Sequence, residues 1–286
     1  ADSRRTAPCS VLVDSALRHA EVVNAINGHP RIAGGIGWCA FDYHSQDWVT
    51  IDCIQPWGVC DVFRFPKYSA ALYASQRDPA AHPVLQAATR WKVGDQAGFD
   101  PNENTMKNGH DAPMVVFSNC DRLEFFIGGE SRGVFFPARD RFPHLAHPPF
   151  FCSLGTVWGP AWQDLRIAGY LDDQPVIEQT IPATNEAGTL LLDIDDRQLV
   201  ADGADMTRVL LRHTDGFGNL QPHSRVAVRL EVTGPAILVG PNPCALVGGV
   251  AGLYLRAGTT AGRVMIRAVA PELGQERKGN VTLRAR

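Results

Sequence analysis

Apolar and polar positions fall into three successive textures along the chain. In the first, Leu17, Ala20, Val23 and Ile26 recur at the three- and four-residue spacing of a helix. Asp14 or Ser15 is placed to cap it, and Gly28 followed by Pro30 to end it. The spacing predicts a helix over residues 15–27. The run RIAGGIGWCAF that follows is small and apolar on consecutive positions, which suits a strand buried on both faces, as in a parallel sheet. Residues 43–66 keep neither period, carry Trp48, Pro56, Trp57 and Pro66, and are too long for a simple connection. Such a loop after a parallel strand is a candidate site wall. From Lys67 to Gln76, KYSAALYASQ has the propensity and spacing of a second helix, closed by RDPAAHP with its two prolines.

The second texture starts near residue 84. LQAATRW, MVVFSNC, LEFFIGG, LRIAGYL and VIEQTIP are short runs between Gly, Pro, Asp and Asn turns, the pattern of an antiparallel β-sandwich. SNCDRLEFFIGGESRG reads as a strand, a tight turn and a second strand ending in Gly128-Gly129. The third texture begins near Gly188. TLLLDIDDRQLVADGADMTRVLLRHTDGFGN, RVAVRLEVTGPAILVG, GLYLRAGTTAGRVMIRAV and NVTLRAR alternate over many short strands with Asp-Gly, Thr-Gly and Ala-Gly turns. That predicts an immunoglobulin-like sandwich of ~100 residues, with TNEAG at 184–188 as a linker. The expected division is therefore 1–80, 81–184 and 185–286.

A helix, one strand and a helix cannot make a domain. The strand offers two apolar faces and two edges of unpaired N–H and C=O groups, which are costly to bury unsatisfied. The antiparallel sandwiches supply no partner, so the missing strands are expected upstream in a longer polypeptide or on another chain. Composition narrows the partners further. With 45% hydrophobic and 20% charged residues the chain has the make-up of a globular protein, and disorder is excluded. A net charge of -3 argues against a nucleic-acid or membrane-surface partner, both of which need a concentrated positive field. No window approaches the ~20 apolar residues that span a bilayer. The opening ADSRRTAPCS has two arginines but no apolar run, so no signal peptide is visible; a soluble protein is expected, its compartment open with the cytoplasm slightly favoured.

Seven cysteines, an odd number over three regions, are a poor match to a disulfide framework and read as mostly free thiols. Cys39, His44, Cys53 and Cys60 lack the paired-knuckle spacing of a zinc site, and His144 with His147 sits in a proline-rich loop, so no metal is expected. Gly34-Gly35-Ile36-Gly37 lacks the spacing and the following helix of a phosphate-cradling loop, and no Gly-x-Ser-x-Gly elbow is present. No cofactor is implied.

GGIGWCAFDYHS, IQPWGVCDVFRFPKYSAALYASQ and VVFSNCDRLEFFIGGESRG together resemble the end of the catalytic barrel and the following sandwich of glycoside hydrolase family 2, the β-galactosidase type. DIDDRQLVADGADMTRVLLRHTDGFGN is similar to the immunoglobulin-like C-terminal domain that many of these enzymes carry. The resemblance implies the terminal part of a (β/α)8 barrel followed by two antiparallel immunoglobulin-like β-sandwiches. Residues 32–42 would be the eighth barrel strand, between the seventh helix at 15–27 and the eighth at 67–76. Active sites of such barrels lie at the C-terminal ends of strands. Trp38, Asp42, Tyr43 and the loop through Trp57 would then face a carbohydrate substrate, since an indole covers the C–H face of a pyranose while a carboxylate or hydroxyl bonds its hydroxyls. The alternative is that Trp38 fills the barrel and Asp42 satisfies loop amides.

A retaining glycosidase needs two carboxyl groups ~5 to 5.5 Å apart. In the family these are glutamates at strand ends, one of them in an Asn-Glu pair. Residues 1–80 contain a single glutamate, Glu21, inside the predicted helix. Asn102-Glu103 and Asn185-Glu186 lie in loops beyond the barrel segment and are not expected to be catalytic. The catalytic pair is therefore expected upstream, in the rest of the barrel, as part of a hydrolase for β-galactosides or related β-glycosides. The competing function is a non-catalytic carbohydrate-binding or scaffold protein of tandem sandwiches, and a homo-oligomeric assembly stays open under either.

Overall fold

A computed structural model describes residues 4–45, 53–89, 91, 113–154, 162–184 and 188–285. It divides into two compact units, Ala1–Asn185 and Glu186–Arg286. The boundary expected near residue 80 falls inside the first unit.

Helix α1 runs Cys9–Asn27 and begins six residues before the expected start. Pro8, with φ of -50°, stands at the N-cap, where its fixed backbone suits a helix entry, so Asp14 and Ser15 lie within the helix and cap nothing. Its buried stripe is Cys9, Leu12, Val13, Ala16 and Ala20, with Leu17 and Val23 at its margin. Gly28 ends it as expected, donating to the Asn24 carbonyl at 3.0 Å. The ring of His144 packs against Gly28, where a Cβ would displace it. Helix α2 spans Tyr68–Ser75, with Lys67 at its N-cap.

The strand expected over residues 32–42 is not formed. Residues 32–40 take part in no β-bridge among the described residues, and the first pairing is an isolated parallel bridge from Phe41 to Cys60. A strand exists by pairing its edges, and no described strand is paired with residues 32–40. The segment's apolar side chains are uncovered accordingly, with Ile36 at 98% exposure. Two short strands follow, β1 (Tyr43–His44) and β2 (Ile54–Gln55), antiparallel with Tyr43 opposite Gln55.

The rest of this unit is two sheets around one core. One has the order β3-β4-β7, from Leu85–Ala87, Met114–Ser118 and Phe150–Cys152. The other has the order β6-β5-β8-β9, with β5 Arg122–Ile127, β6 Glu130–Phe135, β8 Leu165–Leu171 and β9 Gln174–Ile181. The hairpin expected within SNCDRLEFFIGGESRG is redrawn. β4 and β5 belong to different sheets, and Gly128-Gly129, both at positive φ, instead turn β5 into β6. The change of sheet is held by Asn119, whose amide donates to the Arg77 and His82 carbonyls at 3.1 and 2.9 Å and whose Oδ1 accepts from Val84 N at 2.7 Å.

Strand β4 is buried at all five positions. Met114 and Val116 enter the core between the sheets. Val115 and Phe117 enter a second cluster with Cys9, Val13, Ala16, Ala20 and Leu72 of the helices. This sheet therefore has helices on one face and a second sheet on the other, and the continuous apolar run MVVF is what two-sided burial demands. Residues 138–147 close the helix layer through Phe142 and Leu145, and Gln76 clamps the His147 backbone, donating to its carbonyl at 2.7 Å and accepting from its N–H at 3.2 Å.

The second unit is a two-sheet sandwich. One sheet is β10-β12-β16-β14, from Thr189–Ile194, Met206–Thr214, Val250–Ala257 and Ala236–Val239. The other is β11-β18-β17-β13-β15, from Gln198–Val200, Gln275–Arg284, Gly262–Ala270, Ala227–Thr233 and Cys244–Ala245. Leu211, Leu253, Leu255, Val264, Ile266 and Val281 sit in the core that the sheets share. The pairing departs from fully antiparallel at β11, which runs parallel to β18 with Gln198 opposite Thr282. All seven cysteines are free thiols. No described helix is long and apolar enough to cross a membrane.

Candidate functional site

The segment 38–43 and the loop 53–67 lie side by side in the first unit. Cys39 N donates to the Trp57 carbonyl at 3.3 Å, Val59 N to the Cys39 carbonyl at 2.9 Å, Cys60 N to the Ala40 carbonyl at 3.0 Å and Asp42 N to the Cys60 carbonyl at 2.9 Å. Such a ladder brings the two backbones within touching distance. Gly58 is what permits it: a Cβ there would overlap the Asp42 nitrogen and the Phe41 carbonyl carbon. The Trp38–Cys39 peptide bond is cis.

This pairing sets three aromatic side chains in one group. Trp38 Nε1 donates to the Tyr43 hydroxyl at 3.2 Å, and their rings meet edge to face with centroids 6.2 Å apart. Tyr43 meets Trp57 in the same way at 6.4 Å. Trp38 is 69% exposed and Trp57 50% exposed. Trp38, Tyr43 and Trp57 are thus brought together, as a surface rather than a core.

Asp42 turns away from that surface. It is 7% exposed and accepts at Oδ1 from Lys67 Nζ at 2.7 Å and from Gly58 N at 2.8 Å. Lys67, 6% exposed, donates from the same Nζ to the Pro56 carbonyl at 3.2 Å, and its backbone N–H donates to the Val59 carbonyl at 2.9 Å. Burial pushes the Asp42 carboxyl up and the Lys67 ammonium down, while their mutual hydrogen bond opposes both shifts. A neighbouring turn is fixed by Asp61, whose Oδ1 accepts from Phe63 N and Phe65 N, each at 2.9 Å, and whose Oδ2 accepts from Arg5 Nε at 2.7 Å.

Sequence reasoning singled out the aromatic residues and Asp42 but passed over Lys67 and Gly58. Lys67 read as the first residue of a helix, and its partner lies 25 residues away. The available signal was a Gly directly after an aromatic residue inside a proline-flanked loop. Glu21 lies on the outside of α1, with Arg141 at 3.2 Å. Trp48, Asn102-Glu103 and Asn185-Glu186 fall outside the described residues, as does most of the TNEAG linker. Trp38 also lines a cleft of about 540 Å³ between α1 and residues 34–38, together with Arg18, His19, Val23, Ile36 and Tyr73. His19 Nδ1 and the Tyr73 hydroxyl meet there at 2.9 Å.

The fold is similar to that of solved glycosidases. A solved β-glucuronidase from glycoside hydrolase family 2 aligns over 95% of this chain and 27% of its own, with a TM-score of 0.67 at 20% identity. Residues 190–278 match the glycoside hydrolase family 2 C-terminal domain 5. A β-galactosidase of Thermoanaerobacterium thermosulfurigenes is 33% identical over 246 residues, 83% of this chain and 33% of that protein. A β-galactosidase of Rhizobium radiobacter is 32% identical over 120 residues, 42% of this chain and 87% of that sequence. The chain belongs to glycoside hydrolase family 2. It spans about a third of the length of the first curated relatives it matches.

Proposed function

We propose that the protein carrying this chain is a retaining glycoside hydrolase acting on β-galactosides or related β-glycosides. In this reading residues 32–42 are the closing strand of a (β/α)8 barrel, with α1 and α2 as its seventh and eighth helices and immunoglobulin-like sandwiches over 81–184 and 185–286 as accessory domains. Ile32, Ile36 and Trp38 are uncovered, and residues 32–40 take part in no β-bridge among the described residues. A strand from the remaining two-thirds of a family enzyme would answer both needs.

The observation that carries the reading is the exposed group Trp38–Tyr43–Trp57. Indole faces bury the C–H face of a pyranose, and the Tyr43 hydroxyl lies within reach of a sugar hydroxyl bound between them. Asp42 stands beneath this wall as its support. The chemistry needs a carboxylate nucleophile and a carboxylic acid/base ~5 to 5.5 Å apart, and both are assigned to the upstream part of the barrel. Activity on a chromogenic β-galactoside is expected from a protein that includes the preceding coding sequence and not from the 286 residues alone. Full activity of the 286 residues would remove the upstream assignment.

A further inference from the structure

We infer that Lys67 and Asp42 are positioning residues that hold Trp57 against the sugar. The inference rests on the reading of Trp38, Tyr43 and Trp57 as a sugar-binding wall and adds to it the part of the chain that fixes the wall's shape.

Trp57 is half exposed and, among the described residues, its one ring contact is with Tyr43, edge to face. Its side chain is therefore not fixed by packing on all sides. Its backbone is. The peptide before it ends in the Pro56 carbonyl, which accepts from Lys67 Nζ at 3.2 Å. The peptide after it begins at Gly58 N, which donates to Asp42 Oδ1 at 2.8 Å. Nζ and Oδ1 are themselves 2.7 Å apart, so one buried ion pair grips both sides of a single exposed indole. The Trp57 carbonyl takes a third bond, from Cys39 N, directly after Trp38.

The same pair ties the two segments that carry the wall to α2. Asp42 immediately precedes Tyr43, Pro56 and Gly58 flank Trp57, and Lys67 starts α2, which is packed through Leu72 into the helix layer over β4. A buried ion pair is seldom a net source of stability, because desolvating two charges costs about as much as their attraction returns. Its retention here is accounted for by geometry. Stacking on a sugar depends on the tilt and height of a ring, so freeing the 56–58 peptides would lower affinity while leaving the carboxyl pair assigned to the upstream part of the barrel in place.

The test uses the complete enzyme containing this chain and the variants W57A, K67M, D42N/K67M, W38A and W57A/K67M. Each is measured for kcat and KM on o-nitrophenyl β-galactoside, and for equilibrium binding of a non-hydrolysed thiogalactoside by tryptophan fluorescence. W57A is expected to raise KM and the thiogalactoside Kd about tenfold, with kcat within about twofold. K67M and D42N/K67M are expected to do the same, and W57A/K67M to bind no worse than W57A. D42N/K67M, which leaves no lone buried charge, carries the test if K67M does not fold. Wild-type affinity in a folded K67M or D42N/K67M, or a K67M loss that adds to that of W57A, overturns the positioning role while the sugar wall stands. Wild-type affinity in both W57A and W38A removes the wall itself, and this inference with it.

Discussion

Lys67 Nζ and Asp42 Oδ1 meet at 2.7 Å with side chains 2% and 4% exposed, joining the N-terminus of α2 to the end of the 38–42 segment. Removing one partner strands the other as an uncompensated buried charge. K67M is therefore expected to destabilise the protein by about 3–5 kcal/mol. D42N/K67M should recover most of that loss, since asparagine keeps an acceptor for Gly58 N and methionine fills the lysine stem. Denaturant unfolding of the two variants checks this, and a double variant as unstable as the single one would show that the pair is a net source of stability.

Gly58 makes a separate demand on the same region. A Cβ at this position overlaps backbone atoms of Phe41 and Asp42, which cannot swing aside as a flexible side chain would. G58A must push the 56–60 loop away from 39–42, at a cost of about 1–3 kcal/mol. Hydrogen exchange should report it locally, with the amides of Val59 and Cys60, which donate to the Cys39 and Ala40 carbonyls, losing protection while those of β16 and β17 keep theirs.

Acid should weaken the first unit through His19. Burial holds its pKa below the ordinary 6.5, so the folded state resists a proton that the unfolded chain accepts. The resulting stability is present above about pH 6.5 and is lost as pH falls toward the depressed folded value, below which the loss levels off. His147 shifts the same way, through burial and then Arg139. Melting temperature followed against pH should fall over this window. H19Q should reduce the slope and leave the His147 part; an unchanged slope would mean that His19 takes up its proton equally in both states.

What was legible in the sequence is what local chemistry decides. The stop at Gly28 before Pro30, the helix after Lys67 and the strand at MVVF follow from breaker residues, propensity and apolar runs, whereas the two-sided burial expected of RIAGGIGWCAF falls instead on MVVF. What was not legible depends on partners distant in sequence. α1 was placed late because Leu17, Ala20, Val23 and Ile26 satisfy a helical period, but the stripe that meets β4 runs from Cys9 to Ala20, and which stripe is buried is settled by the sheet. The 119–121 link looked like a hairpin turn because Asn and Asp favour turns; the Asn119 side chain instead binds the 77–84 segment, 35 to 42 residues away. Of the site, the loop that carries Trp57 stands out by its lack of period, while Trp38, Asp42 and Tyr43 are singled out by what the family resemblance implies. The Lys67–Asp42 link could not be read, since no spacing rule connects residues 25 apart through a loop.

Phe117 tests whether the helix layer depends on the sheet. It is fully buried among helix residues on one face of β4, whereas Val116 faces the core between the sheets. F117A is expected to cost about 3–5 kcal/mol, and V116A less because fewer atoms are removed. The two should differ in where they loosen the protein. F117A should speed proteolysis within α1 and residues 138–147 ahead of global unfolding, and V116A should not; identical cleavage patterns would mean that both faces unfold as one.

Trp38 and Trp91 separate a surface role from a core role within one unit. Trp91 is 2% exposed, and its Nε1 donates to the Gln163 carbonyl at 2.9 Å while its ring stacks on Trp162 with centroids 4.1 Å apart. W91A should cost about 3–5 kcal/mol through the cavity and the lost bond. Trp38 is 69% exposed and contributes one hydrogen bond, to Tyr43, so W38A should cost less than about 1.5 kcal/mol. In the complete enzyme the order reverses for catalysis. W38A should raise KM about tenfold with little change in Tm, because the lost contact is with substrate, and W91A should lower Tm with KM nearly unchanged in the fraction that remains folded. A large fall in Tm for W38A with normal kinetics would assign Trp38 to packing instead.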